Sequence, residues 1–339
     1  MLLIVLFFAL LLSASIATFL KRATVDAILS RNRDAMARAD ALARGGVRLA
    51  TALLILDKAT ETGGTGGTED VRGTPMDTEL DGWAQMKDTT IETRGGAKLR
   101  VDIEDAGSKL NLNALFELGG EKPVSDRTEA FLLAFLERMV DELPLEQRAA
   151  YDARELADNL IDYIDEDDVR RSGGLEDDYY QDQTPPYHAA NHPLLSVDEI
   201  GMVEGFDAAL VEVIRPYVTV YPFAGGGGVN PNTAPPHILS LIFYNDGVDL
   251  RFVQEDEVRR ILELRQEGRI FCTVQSDETC MPMSEIVPNA ESIHPPLRYS
   301  SETFSVRSEA SVGEVKRTVE AVVDRTVLED PQLLSWRVW

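Results

Sequence analysis

The chain has 339 residues, with 33 Lys and Arg against 58 Asp and Glu, and a formal charge of −25. That balance excludes a nucleic-acid surface, which needs a basic footprint. The length allows a substantial core and about two domains.

The first twenty residues, MLLIVLFFALLLSASIATFL, hold no charged side chain, and Lys21 and Arg22 end the run. At about 1.5 Å per residue, such a helix just spans a bilayer core. The run lacks the basic start of a cleaved signal peptide and is long for one, so residues 1–22 read as a retained membrane helix. From residue 23 to 60, Val25, Ile28, Leu29, Met36, Leu42, Leu49 and Leu53 recur near a 3.6-residue period. They predict an amphipathic continuation of the same helix, with its apolar face packed on a sheet. Residues 1–60 carry eight basic and four acidic side chains and the remainder 25 and 54, so the acidity belongs to the body.

Thr60 to Asp77 is rich in Gly and Thr and predicts a loop. Leu99 to Asp105 alternates and predicts a strand. The string SKLNLNAL, from Ser108, reads as a strand exit, because Asn111 and Asn113 can bond local backbone. Helices are predicted over Thr128–Val140, Leu145–Ile164, Val197–Val203, Asp207–Ile214 and Glu255–Gln266, with Ser196 and Glu199 as a capping-box pair. Short helices broken by Gly201 and Gly205, followed by NPNTAPPHILSLIF, give a SAM-like, helix-hairpin-helix-like pattern. It carries no Lys or Arg in the hairpin to hold DNA. Thr303–Ala310 and Val315–Val327 alternate as a hairpin, with Val315, Val319, Ala321 and Val323 on one face and Gly313 at the turn. The tail ends with Trp336 and Trp339, set to pack on the sheet or meet a partner.

The chemistry concentrates between Leu156 and Ile200. Leu156, Leu160, Ile161 and Ile164 form an apolar helix face. The same turns carry Asp158, Asp162, Asp165, Glu166, Asp167 and Asp168. Gly173–Gly174 follows, then Glu176, Asp177 and Asp178, then Tyr179 and Tyr180. Two carboxylate runs facing each other across a glycine loop repel unless water or a cation separates them. Hard divalent cations take oxygen ligands, and calcium accepts roughly six to eight in irregular geometry. The expected ligands of one or two calcium ions are Asp162, Asp165 and Asp167 from the first run and Glu176, Asp177 and Asp178 from the second. Backbone carbonyls and Asn191 would complete the shell. Gly173–Gly174 must fold the loop back, which positive φ allows. The alternative is a solvated acidic face. The spacing is not that of an EF-hand, and no cysteine lies near to favour zinc.

Cys272 and Cys280 are the only cysteines. Eight residues apart, they fit one disulfide in an exported chain, with two buried thiols as the alternative. His188 and His192 have a helical metal spacing, but Pro185, Pro186 and Pro193 flank them and argue against a helix. Neither G-x-S-x-G nor HExxH occurs, and nothing supplies a nucleophile elbow or an anion hole, so no enzyme is expected.

The strings IDYIDEDD, GGLEDDYY and PPYHAANHPLLSVDEI resemble the K-type minor pseudopilin family of the bacterial type II secretion system. Tyr163 stands where that family usually has Trp, and Ile200 where it has Leu. SKLNLNAL, RPYVTVYP from Arg215 and VNPNTAP from Val229 extend the resemblance in the right order. Pseudopilins carry a short basic leader that a peptidase removes. None precedes Met1, so either the start lies upstream or the chain is given without its leader. Val5 occupies the position where most pseudopilins have Glu, a feature the K type lacks. Lys21 and Arg22 would face the cytoplasm by the positive-inside rule, whereas the resemblance implies a body in the periplasm.

The resemblance implies an α+β fold. A pilin-like long N-terminal helix would pack on an antiparallel sheet, with a large helical domain inserted between strands. The helix would cover residues 1–60, pilin-like loop and strands 61–115, the insert 116–250, and a helix, the cysteine loop and the completing strands 251–339. It implies a structural subunit at the tip of the pseudopilus, anchored in the inner membrane and priming assembly and export. Its partners would be the I and J minor pseudopilins and the major subunit. A membrane-tethered calcium-dependent enzyme and the tip pilin of a related type IV filament are the rival readings.

Overall fold

A computed structural model describes residues 2–62, 76–115, 125–223, 227–245, 247, 250–273, 280–287, 289 and 292–339. Most of the Gly- and Thr-rich stretch expected to be a loop lies outside the described residues. Helix α1 (Leu2–Thr62) is unbroken over 61 residues. Its halves differ. No described side chain before Ala39 is buried, whereas Ala39, Ala43, Val47, Ala50 and Leu54 form a buried stripe. Its first part is apolar and long enough to cross a membrane.

The seam differs from the one expected. Val25, Ile28, Leu29, Met36 and Leu49 stay exposed. Of the expected residues, Leu42 and Leu53 pack at the margin of the core; its centre is Ala43, Val47, Ala50 and Leu54, with small residues letting the helix approach the sheet closely. At Gly46 a Cβ would stand 2.0 Å from Ser308 Oγ, so the absence of a side chain sets the separation there.

The sheet combines β1 (Thr90–Glu92) and β2 (Lys98–Asp105) with three C-terminal strands. In the order of the chain, the insert comes between them. It holds β3 (Leu110–Asn111), α2 (Leu112–Leu115), α3 (Asp126–Glu142), α4 (Leu145–Arg148), α5 (Ala153–Ile164), α6 (Asp177–Gln181) and α7 (Ala208–Ile214). Then follow β4 (Val218–Thr219), α8 (Pro236–Leu239), β5 (Phe243–Asn245), β6 (Leu250–Phe252), α9 (Glu255–Gln266), β7 (Ile270–Cys272) and β8 (Cys280–Pro282). The chain returns to the sheet as β9 (Thr303–Val312), β10 (Val315–Asp324) and β11 (Gln332–Val338). The order β1-β2-β9-β10-β11 is antiparallel throughout. Gly313, at φ 61°, turns β9 into β10, as the hairpin reading required. The tail, expected only to pack or dock, forms the edge strand β11.

Val101, Ile103, Phe304, Val306, Val319, Ala321 and Val323 meet the α1 stripe in one core, and Trp83 closes it edge-on to Phe304 at 5.0 Å. A second core fills the insert and runs from Leu110 to Ile293. It takes in Val258, Ile261 and Leu264 of α9, so α9 belongs to the insert and the boundary expected at residue 250 lies too early. The predicted helix over Leu145–Ile164 splits. Asp152 accepts hydrogen bonds from Arg154 N and Glu155 N and starts α5 afresh, as an N-cap aspartate does. Ser196 caps a 3-10 turn (Val197–Met202) rather than an α-helix.

A buried ionic knot ties the parts together. Arg325 is 1% exposed, pairs with Asp77 and with Asp57 at 2.9 Å, and donates to Leu54 O of α1 at 3.1 Å. Its guanidinium stacks 4.5 Å from the Phe304 ring. Asp77 also accepts from Ser301 N at 2.6 Å. Next to it, Asp105 accepts from Asn230 Nδ2 at 3.0 Å and Thr233 Oγ1 at 2.6 Å, which ties the insert to β2. Cys272 and Cys280 form a disulfide beside Met76, with Cα atoms 5.9 Å apart.

Candidate metal centre

The apolar face of α5 fixes where its acids point. Leu156, Leu160, Ile161 and Ile164 are buried in the insert core, and the helix ends at Asp165. Beyond it the chain makes a tight excursion. Val169 pairs with Leu175 in an antiparallel bridge, and Gly173 and Gly174 turn between them at φ 88° and 108°. Non-glycine residues avoid such angles. Gly173 N donates to Arg170 O at 2.8 Å, and Arg170 N to Gly174 O at 3.2 Å. The return leg delivers Glu176 to the end of α5, where its backbone N–H meets Asp168 O at 3.4 Å. Tyr180 of α6 packs edge-on to Tyr163 of α5 at 5.5 Å and holds the two helices in register.

This folding brings Asp165, Asp167 and Glu176 together, with one carboxylate oxygen from each lying within 4.8 Å of the others. The other three expected ligands have different partners or positions. Both oxygens of Asp162 accept from Arg171 N, at 3.2 and 3.1 Å. Asp177 accepts from Ala189 N at 3.0 Å and pairs with His188 Nδ1 at 2.6 Å. Asp178 is exposed. His188 and His192 do not converge: His192 Nδ1 lies against Pro193 O at 2.7 Å.

Asn191 adds a fourth group. Its Nδ2 donates to Asp167 O at 3.2 Å and to Asp168 Oδ1 at 3.0 Å, with the residue held at φ 47°. Asp168, absent from the expected ligands, thus orients the Asn191 amide. Its place within the acidic run was the available signal, but nothing there separates an orienting carboxylate from a ligand.

The site's polar atoms are unusually bare. Asp165 Oδ1, both oxygens of Glu176 and Asn191 Oδ1 are buried and accept no hydrogen bond from the chain. Burial first, then Asp165, Asp162 and other neighbouring carboxylates, push Glu176 up to about 8. Burial, then Asp167 and Asp162, raise Asp165 to about 6, although Arg171 pulls the other way. Buried acceptors without donors are costly. A cation among Asp165, Asp167 and Glu176 would relieve the repulsion between them. The donors are all oxygen, mixing carboxylates with an amide carbonyl, which fits a hard ion such as calcium better than zinc.

A helix lying on an antiparallel sheet, with its first half bare, is the build of a pilin-like subunit, here widened by a helical insert. A crystal structure of the GspK-GspI-GspJ complex from the enterotoxigenic Escherichia coli type 2 secretion system contains a chain of this fold. It matches with a TM-score of 0.63 at 21% identity, over 91% of this chain and 99% of that one. A family model described as type II secretion system (T2SS), protein K, matches residues 108–223. The type II secretion system protein K of Aeromonas hydrophila is 31% identical over 254 residues, covering 72% of this chain and 71% of that protein. That of Pseudomonas aeruginosa is 32% identical over 208 residues, covering 60% of this chain and 55% of that protein. The chain belongs to the type II secretion system protein K family.

Proposed function

We propose that the chain is a structural minor pseudopilin at the tip of the type II secretion pseudopilus. It is anchored in the inner membrane by the start of α1 with its body in the periplasm. There it assembles with the I and J minor pseudopilins and primes addition of the major subunit, supporting export across the outer membrane. The observation that carries the tip position is the insert. Its core runs from Leu110 to Ile293, between strands that are neighbours in the sheet. So large a body beside one pilin sheet crowds a subunit stacked on all sides and is accommodated at an end. An epitope placed in the insert at exposed Glu146 tests this. Labels at fibre ends alone are expected, and labels along the shaft would contradict the reading.

In the same reading the acidic loop holds calcium through Asp165, Asp167, Glu176 and Asn191. The ion supplies the positive charge that four bare oxygens call for, and so orders the excursion between α5 and α6. The bare buried oxygens support this.

A further inference from the structure

Where the insert meets the pilin sheet, a cavity of about 270 Å³ opens between them. Strands β9 and β10 supply its sheet side. Phe304 and Val323 face α1 in the sheet core, so their neighbours Thr303 and Asp324 point to the opposite face. These two pair in register across β9 and β10 and line the cavity side by side. The insert supplies the other side with Tyr221 and Pro222, and Arg298 and Glu302 stand on the segment that leads into β9.

Thr303 is 2% exposed, and its Oγ1 has no hydrogen-bond partner. A buried hydroxyl left unpaired is costly. The neighbouring groups are only partly engaged. Asp324 accepts from Thr326 N through Oδ1 at 2.7 Å, and Oδ2 remains as an acceptor. Glu302 accepts from Thr326 Oγ1 at 2.5 Å and lies 3.7 Å from Lys58. Arg298 is exposed and, among the described residues, pairs with no carboxylate. Tyr221 is fixed by its hydroxyl, which donates to Leu195 O at 3.3 Å.

We propose that this cavity binds one pyranose sugar ring, held by hydrogen bonds to Thr303, Arg298 and Asp324. A volume just under the range of drug-sized pockets, about 300–1,000 Å³, suits a single ring. The site shares no residue with the acidic loop and does not rest on the assembly reading.

The hydrogen-bonding senses select the ligand class. Arg298 only donates, Glu302 and Asp324 only accept, and Thr303 does either. An anion meets two carboxylates in the lining, and a cation meets Arg298. A ring of hydroxyls is neutral, and each hydroxyl both donates and accepts. Tyr221 and Pro222 give its C–H face an apolar wall, whereas an apolar ligand leaves Thr303 Oγ1 unpaired. A sugar seated here touches both the insert and the sheet, so its binding stiffens their joint.

The test is saturation-transfer NMR on the full chain in a detergent without a sugar head group. Glucose, galactose, mannose and N-acetylglucosamine are the probes, with cellobiose and chitobiose as chain-end probes. Saturable transfer to at least one of them is expected. A disaccharide saturated at one ring identifies the end of a glycan as the ligand, and binding of a monosaccharide alone identifies a free sugar. Thr303→Val should weaken binding about fivefold, the loss of one neutral hydrogen bond. Arg298→Ala, at an exposed position, should weaken it about tenfold, the loss of a charged one. Asp178→Asn should change nothing. If circular dichroism shows Thr303→Val unfolded, Arg298→Ala decides alone. Four results would overturn the proposal: no saturable transfer from the probes, saturation of both rings of a disaccharide, binding that survives the substitutions, or binding of inorganic phosphate or glycine in place of the sugars.

Discussion

Among the described residues, two clusters of acids, each with a buried member, are resolved in opposite ways. At the foot of α1, Asp57 and Asp77 face Arg325, so the chain brings its own cation. At the end of α5, Asp165, Asp167 and Glu176 converge with no basic side chain between them. Arg171 is turned to Asp158 and Glu129, and Arg170 to Glu204. In the first cluster Asp57 and Asp77 are hydrogen-bonded. In the second, four buried oxygens accept nothing from the chain. A cluster with an internal counter-ion is a fastening. A cluster without one is, in the reading proposed above, completed from outside, so its order would depend on the solution. That is the physical difference between a structural salt bridge and an ion site.

Removing the internal cation should have the largest effect. Arg325→Met leaves Asp57 and Asp77 buried and unpaired, and breaking such a pair costs about 3–5 kcal/mol. Denaturant unfolding should show that loss with calcium and with chelator alike. A loss below about 1 kcal/mol, or recovery on adding calcium, would erase the distinction between the clusters.

Glu176→Gln and Asp165→Asn should behave in the opposite sense. In chelator they remove repulsion and leave the melting temperature unchanged or higher. In calcium they forfeit the stabilisation that binding gives, about 2.7 kcal/mol at a hundredfold excess over Kd. Asp178→Asn, at an exposed carboxylate outside the converging set, should change neither curve.

The smallest effect is the pH slope. Between its ordinary value of 4.5 and about 8, Glu176 holds a proton in the folded chain that the unfolded chain has released. Stability in chelator therefore falls as pH rises through that window. Asp77, pushed up to about 7 by burial against the pull of Arg325, adds a slope of the same sign. Calcium should flatten the Glu176 part and that of Asp165, which is raised to about 6, but not the Asp77 part, because bound ligands are deprotonated. Thermal melts at pH 5, 6.5 and 8 check this: the benefit of calcium should grow with pH.

Much of the fold was legible because it is periodic. The uncharged run, the alternation of Val319, Ala321 and Val323, and Gly313 at the turn each state one geometry. The seam of α1 was legible only at Leu42 and Leu53. Hydrophobic periodicity marks large side chains, whereas the helix seats partly on Ala39, Ala43, Gly46 and Ala50, whose virtue is their small size, alongside Val47 and Leu54. β11 escaped because QLLSWRV does not alternate and its pairing with β10 passes a bulge. α9 reads as a helix from its own sequence, but which core it joins depends on contacts with residues far away in the chain. At the acidic loop, the density of carboxylates and the need for Gly173–Gly174 were visible. Direction was not. Asp162 and Asp177 lie in the same runs as Asp165 and Glu176, yet backbone N–H groups of Arg171 and Ala189 claim them.

The central claim is that the α5–α6 loop is completed by an external hard cation. Isothermal titration of calcium into the chelator-treated full chain in detergent tests it most directly. The account predicts saturable binding of one or two ions, lost in Glu176→Gln, not reproduced by zinc at this loop, and accompanied by a higher melting temperature. No heat of binding, or binding that survives in both Glu176→Gln and Asp165→Asn, would contradict it.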